Sequence, residues 1–236
     1  MKKLTLFLTL LGTILSLYSC GDDETAFNAF GDVVVLTRYS ESGPIEFTTA
    51  YYVYGNKSMQ EVTVTTPDQN QIELEPYDGY TSTFLLEPND EDYSSVPPTY
   101  GEYKFHIITS GNNMDSVSDI LGSNYYQSPV TITESTLEEN TLIVTWSESS
   151  DADAYRVRVL ETTDDSENVY YISNLYSSTS FELNYANNYV TYQGASPQEG
   201  EEYIIEVLAY KFEEDYVGDM YNIESISSAR TTIIWN

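Results

Sequence analysis

The chain predicts an all-β fold of two tandem antiparallel β-sandwiches, and three observations predict it. Apolar and β-branched runs alternate with clusters of Gly, Pro, Asn and Asp, the pattern of short strands joined by turns. No stretch sustains the 3.6-residue period of an amphipathic helix. Tyrosine, a good strand former with an amphipathic ring, occurs 23 times in 236 residues.

The first element is not part of the fold. Lys2 and Lys3 precede an apolar run from Leu4 to Leu17, too short for a membrane span of about 20 apolar residues. It reads as a targeting segment. Leu17-Tyr18-Ser19-Cys20 resembles the bacterial lipobox, which implies cleavage before Cys20 and diacylglycerol on its sulfur, with an acyl chain such as palmitate on the freed amine. More than one acyl chain gives firm anchoring. Gly21-Asp22-Asp23-Glu24 is similar to the acidic export signal of Bacteroidota lipoproteins. That resemblance implies an outer-membrane protein held by lipid and facing the cell exterior. Residues 1–19 are therefore the expected signal peptide and 20–28 an acidic tether.

Residues 29–236 suit two domains of about 100 residues each. In residues 29–129 the strand signals are Val33 to Leu36, Phe47 to Tyr54, Val62 and Val64, Ile72 and Leu74, Phe84 to Leu86, and the alternating run Gly101 to Ile107. Turns are expected at Ser42-Gly43-Pro44, Gly55-Asn56, Pro67-Asp68 and Asp78-Gly79, and a single helical turn over Met114 to Leu121. Gly101-Glu102-Tyr103 fits a tyrosine corner. This half resembles an Ig-like sandwich.

In residues 130–236, Leu142, Val144 and Trp146 share one strand face. Tyr155, Val157 and Val159 share another, with Arg156 and Arg158 opposite, and Tyr203, Ile205, Val207 and Ala209 a third. A last strand runs from Ser227 to Trp235. The set resembles a fibronectin type III domain, which implies a module that spaces or binds. Two long connections depart from that pattern, Ala186 to Glu199 and Lys211 to Glu224.

Composition narrows the chemistry. With 38 acidic residues against 9 basic ones the net charge is −29, which repels nucleic acid and anionic lipid. A single cysteine rules out an intrachain disulfide, and one histidine with one cysteine cannot build a usual zinc site. His106 alternates against Tyr103, Phe105 and Ile107 and so faces away from that apolar set. No Gly-x-Ser-x-Gly elbow or phosphate loop is present. The sequence thus predicts no enzyme and no cofactor. Calcium is the one ion its acidic turns suit, at Asn89-Asp90-Glu91-Asp92, Asp151-Ala152-Asp153 and Glu213-Glu214-Asp215.

The binding residues expected from sequence lie in the two long connections and at the edge of the first. Tyr185, Asn187, Asn188, Tyr189, Tyr192 and Gln193 combine rings with amides, a mixture suited to glycan or protein recognition. Tyr216 and Tyr221 are similar. The expected function is a lipid-anchored surface module for glycan or protein ligands. The alternative is a structural accessory lipoprotein of an outer-membrane uptake or secretion complex. Replacing Cys20 by Ser should leave the chain unprocessed or free of membranes on fractionation. Protease added to intact cells should degrade the wild-type protein; protection until lysis would place it in the periplasm.

Overall fold

A computed structural model describes residues 26–149, 151–162, 169–185, 197–214 and 222–236. The lipobox, Cys20 and the Gly21–Glu24 motif lie outside them, as do Asn187, Asn188, Tyr189, Tyr192, Gln193, Tyr216 and Tyr221.

The first lobe has seven strands: β1 (Ala29–Tyr39), β2 (Ile45–Gly55), β3 (Met59–Thr65), β4 (Gln71–Tyr77), β5 (Tyr80–Leu86), β6 (Gly101–Thr109) and β7 (Met114–Leu121). The second lobe has β8 (Ile132–Glu138), β9 (Thr141–Trp146), β10 (Ala154–Glu161), β11 (Val169–Ile172), β12 (Ser180–Asn184), β13 (Glu202–Phe212) and β14 (Ile223–Ile234). In the second lobe β12-β9-β8 faces β11-β10-β13-β14. The first lobe repeats that order as β1-β2-β5 and β4-β3-β6-β7, with β4 and β5 also paired to each other. Both halves therefore carry the three-against-four strand order of a fibronectin type III sandwich.

Period-two alternation builds each core. Val33 and Val35 of β1, Val53 of β2, and Phe105 and Ile107 of β6 are buried together in the first. Gly31 lets β1 lie close: a Cβ there would meet the Phe105 ring at 2.6 Å. Trp146, Tyr155, Val157, Ile205, Val207 and Trp235 form the second. The faces expected for β9, β10 and β13 all point into it. Each lobe ties its sixth strand back through a tyrosine. The Tyr103 hydroxyl donates to the Thr99 carbonyl at 2.8 Å, and the Gln198 N–H donates to the Tyr203 hydroxyl at 2.8 Å.

Three sequence expectations change. Met114–Leu121 is strand β7, not a helical turn, because its whole length pairs with β6, Gly101 opposite Leu121 through Ile108 opposite Met114. The long connection from Lys211 is shorter, since β13 runs to Phe212 and β14 starts at Ile223. The chain is fixed before residue 29: Phe27 packs against the first core, and the Asn28 N–H donates to Asn56 Oδ1 at 2.8 Å. Each sandwich is antiparallel within itself, as expected, and one parallel pair joins the two. β14 pairs with β1 in parallel, Val35 to Arg38 beside Ser225 to Ser228, and this merges the two lobes into one eleven-stranded sheet.

That junction is polar and packed at once. Leu36 lies beside Ile226, and Ala154, Leu208, Tyr210 and Phe212 form a third apolar cluster on the outer face of β10 and β13. Strand β13 is consequently buried on both faces along most of its length. Where β1 is not paired to β14, the Val33 N–H donates instead to Asp119 Oδ2 of β7 at 2.9 Å. Gln127, fully buried, donates from Nε2 to the Ala209 carbonyl at 2.7 Å and accepts from the Ser149 hydroxyl at 3.2 Å. Its own carbonyl accepts from the Thr37 hydroxyl of β1. Leucine at 127 would fill the space but leave the buried Ser149 hydroxyl without its acceptor. Gln127→Leu should therefore lower unfolding free energy by about 2 kcal/mol, read from the urea midpoint at constant slope.

Candidate binding face

The first lobe turns an aromatic surface outward. In β1 the core-facing residues are Gly31, Val33 and Val35, so Phe30 and Asp32 point the other way. The β1–β2 register sets Phe30 opposite Tyr54 and Asp32 opposite Tyr52. Beyond β2, Leu85 of β5 lies beside Tyr52 and Thr83 beside Tyr54. The β4–β5 hairpin closes on Asp78-Gly79, both with positive φ, as a two-residue turn of this hand requires. Tyr77 and Tyr80 flank that turn as cross-strand partners.

Phe30, Tyr54, Tyr77 and Tyr80 are 52%, 51%, 54% and 63% exposed, while Tyr52 is half-buried. The Tyr52 hydroxyl donates to Glu87 Oε1 at 3.3 Å. Burial, then the Glu87 carboxylate, pushes the Tyr52 phenol well above its ordinary value. Tyr54 is raised by burial, then by Asp32, Glu87 and Tyr77. Both phenols therefore stay protonated, and the face offers rings and neutral O–H groups rimmed by carboxylates.

Asp32 marks the end of this face next to the second lobe. Carboxylate oxygens of Asp32, Asp119 and Glu213 lie within 4.8 Å of one another, and this trio is the group of acidic side chains, among the described residues, that could converge on one cation. The sequence clusters named for calcium contribute only Glu213 to it. Asp90 instead pairs with Arg38, Asp92 accepts the Asn89 N–H at 2.7 Å, and Asp153 accepts the Phe212 N–H at 2.8 Å. Burial pushes the Asp32 carboxyl up to about 8, with like charge from Asp119 and Glu213 adding to it.

Tyr185 is the sequence-predicted ligand residue that the described chain contains. It packs on Trp235 at 4.8 Å, and its hydroxyl donates to the carbonyls of Glu139 and Asn236, at 3.1 and 3.2 Å. Its ring is thus committed to the end of the second core. The described residues flanking the two long connections stand at opposite ends of β13: Tyr185 and Pro197 toward Glu202, Glu214 and Asn222 toward Phe212. His106 is exposed on β6 opposite Thr63, on the face away from the core. The aromatic face was missed in sequence, although a signal for it was there. Phe30, Tyr52 and Tyr54 stand out of phase with the core valines, and two tyrosines bracket Asp78-Gly79.

No family model matches the chain, and no curated protein matches it. Solved structures do resemble it. A tetra-tandem repeat from the extending region of a large adhesion protein is 13% identical over 88% of this chain and 50% of that one, with a TM-score of 0.28. The FN1–FN3 domains of chicken CNTN1 are 11% identical over 86% and 66%, with a TM-score of 0.33. The BSP domain of a biofilm associated protein is 14% identical over 86% and 30%, with a TM-score of 0.24. The chain spans less than two thirds of each.

The acidic trio has a pH signature. The folded value of Asp32 lies above its unfolded one, so folding takes up a proton there. Its favourable effect is complete below about pH 4 and is lost as pH rises through about 8. Asp119, Glu213, Tyr52 and Tyr54 are the groups that face the same carboxyl. In chelator-treated buffer Asp32→Asn should flatten this decline and stabilise the protein by at least about 1 kcal/mol at pH 8, measured by urea melts across the range. An unchanged slope would show that Asp32 titrates normally.

Proposed function

We propose that this chain is a lipid-anchored binding or adhesion module of the bacterial outer membrane, displayed on the cell surface, and that the outer face of β1, β2, β4 and β5 holds its ligand. The observation that carries the reading is the cluster of exposed Phe30, Tyr54, Tyr77 and Tyr80 beside protonated phenols and carboxylate acceptors. Rings of this kind stack on the apolar faces of sugars, and the rim groups bond hydroxyls. Tyr is also the preferred anchor of rigid protein-recognition surfaces. The charge of −29 selects neutral or cationic ligands. The lipobox and the acidic residues after Cys20 support the anchor and the outward display.

The reading is recognition without chemistry. His106 stands alone in solvent on β6, and the acidic trio sits at an interdomain seam. A second reading, a structural accessory of an envelope complex, draws support from the β1–β14 pairing, which makes the two lobes one continuous sheet suited to spacing.

A glycan array probed with the mature protein separates the two. The binding reading expects a neutral oligosaccharide with roughly micromolar affinity, weakened at least about tenfold by Tyr54→Ala or Tyr77→Ala with the melting temperature unchanged. A blank array together with co-purification of an outer-membrane protein would replace it by the accessory reading.

A further inference from the structure

We propose that the second half of β14 is an acceptor for an extended segment of a partner polypeptide, neutral or basic in charge, which adds as a strand in line with β1. The site is separate from the aromatic face.

Strand β14 has two edges. One pairs with β13 along its whole length, from Phe212 opposite Ile223 to Glu202 opposite Ile234. The other pairs with β1 only from Ser225 to Ser228. Past Ser228, no strand among the described residues pairs with that second edge. The direction of its backbone groups is set by Trp235, whose N–H donates to the Glu201 carbonyl at 2.9 Å and whose carbonyl accepts from Gly200 at 2.6 Å. Trp235 therefore faces β13. Strand alternation turns the N–H and C=O of Ile234 and Thr232 the other way, onto the open edge. The run from Ala229 to Ile234 spans roughly 20 Å.

The start of that edge, Ser228 to Thr231, lines a groove of about 980 Å³ between the lobes, and Thr232 to Ile234 continue beyond it. Val130 to Ile132 form one wall, and Arg38, Tyr39 and Tyr93 the other. That second wall is firmly built. Arg38 donates from Nε to Glu46 at 3.2 Å, pairs with Asp90, and lies 3.8 Å over the Tyr93 ring. A row of main-chain donors and acceptors recognises another main chain, as in β-strand addition. The same edge already accepts β1, so its twist and spacing are competent for a strand.

Charge chooses the occupant. Glu41, Glu46 and Asp90 line the groove against Arg38 and Arg230, and Arg230 donates to the buried Glu206 at 2.8 Å. The whole chain carries −29, which opposes a second copy and favours a neutral or basic segment. Open edges are usually blunted by lysine, proline or a bulge. Here Thr231-Thr232-Ile233-Ile234 is β-branched throughout, with Ile234 exposed, and its pairing to β13 continues without a register shift.

The test uses the mature full-length protein and a fluorescein-labelled decapeptide, Lys-Thr-Val-Thr-Val-Lys-Val-Thr-Val-Lys, followed by anisotropy. Saturable binding is expected. Thr232→Pro should weaken it at least about tenfold, because proline removes an outward N–H and no bond to β13. Thr232→Val should bind as wild type, as should Tyr54→Ala, which keeps this site distinct from the aromatic face. Glutamate in place of the peptide lysines should also weaken binding. If Thr232→Pro fails to fold, hydrogen exchange on the wild type decides: the amides of Thr232 and Ile234 should gain protection with peptide. No saturation up to about 1 mM peptide, undiminished binding by folded Thr232→Pro, or no gain in amide protection would each overturn the proposal. A dimer in ultracentrifugation with those amides already protected would overturn it in favour of self-pairing.

Discussion

Four residues of parallel pairing govern this molecule. Each sandwich has its own core, yet Val35–Arg38 of β1 and Ser225–Ser228 of β14 knit them into one sheet. Much of the local structure stems from that contact. It places Leu36 beside Ile226 and draws the outer faces of β10 and β13 into a third apolar cluster. It also obliges Asp119 to supply an acceptor for Val33 where β1 has no second strand. Gln127, buried there, is itself satisfied by the Ala209 carbonyl and the Ser149 hydroxyl.

The scarce cations are concentrated at this junction. Of nine basic residues, Arg38, Arg158, Lys211 and Arg230 all bind carboxylates within the junction or on the strands that form it. Glu206, 1% exposed, is held between Arg158 and Arg230, with Arg230 Nε at 2.8 Å. Such a buried cluster adds little net stability over apolar packing, but removing one partner strands a charge. Lys211 reaches both Glu224 and the Asn124 carbonyl at the end of the first lobe. The rest of the surface is left strongly acidic, and that acidity selects what can approach it.

The tyrosines divide by the face they occupy. Tyr103 and Tyr203 use their hydroxyls to fix the sixth strand of each lobe. Tyr51 and Tyr155 fill cores. Tyr54, Tyr77 and Tyr80 have no such task and stand in solvent together with Phe30. One residue type thus supplies core and exposed surface alike, because its ring packs and its hydroxyl bonds in either setting.

The strand-built class, the two cores, the tyrosine corner at Tyr103 and the inward faces of β9, β10 and β13 were all legible along the chain. They depend on period-two alternation and turn residues, which are local signals. Strand β7 was not legible, because its Ser and Asp residues show no apolar run and gain their conformation from pairing with β6. Which tyrosines are free became visible only in the folded sheets. The aromatic face draws on β1, β2, β4 and β5, the acidic trio on residues 32, 119 and 213, and the β1–β14 contact on segments nearly two hundred residues apart. Such proximity is set by how sheets close, and pairing partners at that distance leave no periodic trace in either strand.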